Sequence, residues 1–84
     1  MEAPDPALYA KASFANEKTI QESALCGCYY CGQQFPAMDV IKFVDDMRGG
    51  TAMCPLCGID AVVGDASNLP IDYIALSILR SHFF

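Results

Sequence analysis

The chain has 84 residues, ten Asp and Glu against five Lys and Arg, a formal charge of −5, five cysteines and no tryptophan. At 54% hydrophobic and 18% charged it is too apolar for a disordered chain, yet so short that its own core is modest, and the cysteines are the obvious staple. The acidic balance repels phosphate backbones unless cations cluster, and Lys11, Lys18, Lys42, Arg48 and Arg80 are scattered, which makes nucleic acid an unlikely partner. No run approaches the ~20 apolar residues of a membrane span, and Met1 to Pro6 is acidic and proline-broken rather than basic then apolar. One domain in the cytoplasm, away from the membrane, is expected.

In chain order, the first six residues are expected to fray. Asn16 suits the N-cap of a short helix beginning Glu17-Lys18-Thr19-Ile20, with Glu17 favourably placed in its first turn. Between Ala37 and Met47, the residues Ala37, Val40, Ile41, Val44 and Met47 recur at three- and four-residue spacing, which predicts a helix entered at Pro36 and stopped by Gly49-Gly50. The competing reading of that stretch is a strand, with Val40, Lys42 and Val44 on one face and Ile41 and Phe43 on the other. Thr51-Ala52-Met53 is expected to be extended and to pair in a short antiparallel sheet with Ala61 to Val63, a β-branched run closed by turn residues from Asp65 to Asn68. A C-terminal helix is predicted from about residue 70 to 82. Ile71, Ile74, Ala75, Ile78 and Leu79 form its apolar stripe, with Tyr73, Leu76 and Phe83 around the side.

The strongest signal is a doubled motif. Cys28-Tyr29-Tyr30-Cys31-Gly32 and Cys54-Pro55-Leu56-Cys57-Gly58 are two C-x-x-C-G turns, with 22 residues between Cys31 and Cys54. Such a turn brings two thiolates to one ion, and two turns supply a tetrahedral four-sulfur site, a geometry that zinc favours. One structural zinc ion on Cys28, Cys31, Cys54 and Cys57 is therefore expected to contribute directly to folding. Disulfide pairing is disfavoured by the odd cysteine count and the lack of a signal segment, and dithiol redox chemistry by the lack of a βαβ context. Cys26 reads as a small buried hydrophobe, or as an alternative ligand to Cys28 in a C-x4-C grip. His82, near the end of the last helix, suits the helix dipole better than a metal already saturated with sulfur.

A saturated site leaves no open position for water or substrate. Asp45-Asp46 would point about 100° apart on a helix, so no enzyme is expected. Four thiolates and one divalent ion carry −2 together, taking the charge of −5 to −7. The knuckles hold Tyr29, Tyr30, Pro55 and Leu56 rather than basic residues, which favours a protein partner over nucleic acid. Tyr73, Leu76 and Phe83 are further candidate contacts, with a homodimer through them as one outcome.

The run Cys26-Gly27-Cys28-Tyr29-Tyr30-Cys31, then Phe35-Pro36, then Thr51-Ala52-Met53-Cys54-Pro55-Leu56-Cys57-Gly58-Ile59-Asp60, resembles a family of small, uncharacterised bacterial cytoplasmic proteins with a CGCxYC…ALCPxCGID pattern. The likeness spans about residues 26 to 64 and implies a cytosolic, zinc-ribbon-like protein with Cys28, Cys31, Cys54 and Cys57 as ligands. It implies no activity. The paired knuckles are also similar to rubredoxins, which would imply iron in the same four sulfurs and an electron-carrier role. The helix-like insert, the long C-terminal helix and the missing tryptophan depart from that pattern. The expected architecture is α+β, a small zinc ribbon of two knuckles and a short antiparallel sheet with flanking helices. Its function would be that of a protein-binding module, in one version an acidic inhibitor or adaptor of a nucleic-acid-handling partner.

Overall fold

A computed structural model describes residues 4–46 and 49–84. Two short helices open the chain. In α1 (Pro6–Ala12) the Asp5 carboxylate caps the N-terminus by accepting from the Ala7 N–H at 3.0 Å, and Pro6 takes the first helical turn, where a missing N–H costs nothing. Asp5 and Pro6, expected to fray, are therefore held at the start of a helix. Residues 1–3 of that stretch lie outside the described residues. Helix α2 (Glu17–Gln21) follows, with Asn16 at its N-cap position.

Strands β1 (Leu25–Cys28), β2 (Gln34–Pro36) and β5 (Val62–Gly64) form one antiparallel sheet in the order β2-β1-β5. Neighbouring side chains on a strand point to opposite faces, and paired residues share a face. A Cβ on Gly64, the partner of Cys26, would run into Ser23 and Ile20 beside and within α2. On the other face a Cβ on Gly27 would lie 3.1 to 3.2 Å from Leu76 and Ile71. The sheet is therefore sandwiched, with α2 on one side and α3 (Tyr73–Phe83) on the other. Double coverage explains why all three residues of β5 are buried and why Ala61 to Val63 reads as an unbroken apolar run.

The insert between the knuckles departs from the expected helix. Ala37–Asp39 form a single 3-10 turn, and Val40 is extended (φ −83°, ψ 104°). The chain then pairs as a hairpin of β3 (Phe43–Asp46) and β4 (Gly49–Ala52), in register Phe43 with Ala52. Met47, the last residue of the expected helix, lies outside the described residues. The apparent helical stripe failed because, among its described residues, only Ala37 and Val40 are buried, while Ile41 is 87% exposed and Val44 half-exposed. Phe43 half-buried and Val44 outward is instead the period-2 pattern of a strand with one covered face. Gly49-Gly50 begins β4 instead of stopping a helix, and Gly50 makes room for the Glu17 carboxylate. Asp45, expected on a helix face, stands exposed on β3.

The expected pairing of Thr51 to Met53 with Ala61 to Val63 is also corrected, since β4 pairs with β3 and β5 with β1. What joins the two sheets is Asn16. Its side chain makes no cap bond; it accepts from the Ala52 N–H at 3.0 Å and donates to the Val62 carbonyl at 2.8 Å, both buried. The last helix starts at Tyr73 with Asp72 as N-cap, its Oδ1 accepting from the Ala75 N–H at 2.9 Å. Its buried side carries Ala75, Leu76 and Leu79, about one position round from the predicted stripe, which leaves Ile74 and Ile78 facing solvent. The whole is a small α+β fold of short antiparallel sheets and helices.

Candidate metal centre

The two C-x-x-C-G turns each sit between strands, the first joining β1 to β2 and the second leading from β4 towards β5. They share one local geometry. In each, the N–H of the first cysteine donates to the carbonyl five residues on, Cys28 to Gln33 and Cys54 to Ile59, both at 3.0 Å. The glycine N–H four residues on returns to the cysteine carbonyl, Gly32 to Cys28 at 2.8 Å and Gly58 to Cys54 at 3.0 Å. Gly32 and Gly58 have φ of +76° and +79°, conformations an L side chain resists. The same turn is thus built twice, for the same steric reason.

Facing each other, the turns bring four sulfurs together. The Cys28 and Cys57 Sγ atoms are 3.7 Å apart, those of Cys31 and Cys54 3.8 Å, and all four lie within 4.8 Å of one another. An ion bonded to four tetrahedral sulfurs at ~2.3 Å sets them about 3.8 Å apart, so the donor set and its spacing fit a single metal ion. Tetrahedral sulfur accepts zinc or iron, and these distances do not choose between them. None of the five cysteines is in a disulfide.

The surroundings of the sulfurs explain why a cation belongs there. Burial pushes the Cys28 thiol well above its ordinary value, against the opposing pull of the Cys31 and Tyr30 N–H groups. Cys57 is also raised, chiefly by burial. For Cys54 burial acts upwards too, but the N–H groups of Cys57 and Leu56, both 3.4 Å from its Sγ, outweigh it and hold the thiol below its usual value. Four thiolates at this spacing repel one another strongly. A divalent ion turns that repulsion into attraction, and loading it releases protons.

Cys26 lies on the same strand face as Cys28 and is fully buried, but it is outside the sulfur cluster. Burial, then the Asp65 carboxylate, pushes its thiol up to about 11. His82 is also outside the cluster and exposed on the last turn of α3.

The candidate contact residues divide. Pro55 and Leu56 stand exposed at the tip of the second knuckle. Tyr30 is half-buried, edge-on to Phe84 with ring centres 4.7 Å apart and with the Arg80 guanidinium over its ring. Tyr29 and Leu76 are corrections, because both belong to the core. Tyr29 is 6% exposed, its hydroxyl 2.8 Å from Ser13 Oγ and its ring 5.1 Å from that of Phe83. Leu76 is fully buried against the sheet. With Leu76 enclosed, Tyr73 and Phe83 are the exposed members of that set, at the two ends of α3.

Two polar residues that position the centre were not singled out from the sequence for that role. Asn16 ties β4, which leads into Cys54, to β5, and Ser13 holds Tyr29 inside the first knuckle. Asn16 carried a capping signal that concealed its core role. Comparison with protein-family models, with curated proteins and with solved structures gives no match to this chain. Among the described residues no helix is long and apolar enough to cross a membrane.

Proposed function

We propose that this chain is a small zinc-ribbon-like module of the cytoplasm in which one structural zinc ion joins the two knuckles and the surface serves to bind another protein. The observation that carries the reading is the pair of sulfur separations, 3.7 and 3.8 Å, close to the edge of a tetrahedron around a zinc ion. Four sulfur ligands leave the ion no open position, which argues for a structural rather than a catalytic metal. Exposed Pro55 and Leu56 at the knuckle tip and the net charge of −5, which becomes −7 with the ion bound, favour a protein partner with a basic surface. A nucleic-acid-handling protein, held by an acidic inhibitor or adaptor, is the version of this reading that the charge supports.

Metal analysis of protein purified under reducing conditions tests the reading. One zinc per chain is expected, with its loss in Cys54→Ser. A red, iron-containing protein would replace zinc by an electron-carrying centre, and a folded metal-free protein would end the reading. Binding to a basic partner should weaken steeply between low and high salt; salt-insensitive binding would remove the inhibitor version.

A further inference from the structure

The sulfur cluster and knuckle tips do not account for an apolar groove on the surface. A groove of about 650 Å³ runs between α1, the segment 69–72 and α3, within the size range of ligand-binding clefts. Its apolar walls include Leu8, Ile74 and Ile78, which are 50%, 73% and 43% exposed. At its base Tyr9 is buried, and its hydroxyl donates to the Pro70 carbonyl, a bond that ties the start of the chain to the lead-in of α3. The groove is therefore preformed.

The charges on its lining are all of one sign. Among the described residues, Asp5 and Asp72 line it and no Lys, Arg or His does. Each carboxylate is held in place as a helix cap, by the N–H of Ala7 and of Ala75 respectively. An apolar trough edged by two anchored carboxylates is complementary to apolar side chains with cations next to them. A second copy of the chain is a poor occupant, because two such grooves face to face would oppose four carboxylates on molecules already at −5 each.

We propose that the groove between α1 and α3 docks a short segment of a partner protein that presents aliphatic or aromatic side chains beside lysine or arginine. This deepens the protein-binding reading above and rests on it. The mode is that of an amphipathic segment laid in a groove, with apolar anchors giving affinity and the carboxylates choosing the sign of the partner.

The test uses the full chain with its metal content measured, and two labelled amphipathic peptides with leucine on one face and either lysine or glutamate on the other. Fluorescence anisotropy should show binding of the lysine peptide and at least about tenfold weaker binding of the glutamate peptide. Ile74→Ser with Ile78→Ser should weaken the lysine peptide about tenfold or more. Asp5→Asn with Asp72→Asn, which keeps both caps, should weaken it more than Asp39→Asn with Asp45→Asn, which removes the same charge from exposed sites outside the groove. Equal losses in those two double variants would mean general charge attraction and would overturn the proposal. So would an unaffected serine variant, no binding of the lysine peptide, or self-association that the groove variants abolish. Failure of the zinc reading is seen separately, as folded protein without metal, whatever the peptide does.

Discussion

Cys26 and Cys28 are two residues apart on one face of β1 and both are fully buried, yet only Cys28 reaches the other three sulfurs. Their substitutions should therefore separate cleanly. Cys28→Ser is expected to lose the ion, while Cys26→Ser keeps one metal per chain at a stability cost of about 1–3 kcal/mol for an ill-matched buried hydroxyl, measured by metal analysis and denaturant titration. The Cys26 thiol also sets a pH dependence. Its folded-state value, about 11 against an ordinary 9.0, favours the neutral form. Its contribution is complete below pH 9.0 and is lost as pH rises through about 11, so the alkaline fall in stability should be shallower in Cys26→Ala. The difference is expected to open between pH 9.0 and about 11. A parallel fall in both proteins would assign the alkaline loss to other groups.

Among the elements, the matched turns and the Asn16 bridge make distinct demands. Gly32→Ala and Gly58→Ala each force an L side chain to a φ near +76° to +79°. Each is expected to cost about 1–2 kcal/mol, read as weaker zinc retention against a competing chelator, with similar losses at the two positions because the turns are equivalent. Asn16→Ala leaves the Ala52 N–H and the Val62 carbonyl buried without their partner. A loss of about 2–4 kcal/mol is expected in urea unfolding, larger than for an exposed cap residue, where about 1 kcal/mol is usual. A small effect would mean that the two sheets hold together without the bridge.

For the molecule as a whole, the four sulfurs sit between two sheets that share no strand pairing. One knuckle hangs from β1 and β2, the other from β4 and β5, so an ion held there would add a second tie beside the Asn16 bridge. Chelation of a reduced sample is expected to unfold the domain cooperatively, with loss of far-ultraviolet circular dichroism, and added zinc should restore it. The metal affinity should fall as pH falls, because each thiolate must be deprotonated to bind. A chelated chain that keeps its native spectrum would show that the sandwiched sheet is stable by itself.

Some of this was legible in the residues alone, because it is local. The C-x-x-C-G repeats encode their own turns: glycine is needed where φ is positive, and two cysteines three apart converge on one point. That sufficed to pick out Cys28, Cys31, Cys54 and Cys57 without a fold. The last helix was legible too, from its 3.6-residue pattern, although its start at Tyr73 and the face it buries were not. The tertiary structure alone decided the rest. Residues 37 to 46 carry apolar spacing compatible with a helix, and pairing of Phe43 with Ala52 across the hairpin overrode it. Asn16 looks like a cap in sequence, and only the approach of Ala52 and Val62 draws its amide inward. Tyr29 and Leu76 are indistinguishable from surface anchors until the sheet and α3 enclose them. Turns depend on a residue's own backbone and its immediate neighbours, whereas burial and strand partnership depend on segments brought together from far along the chain.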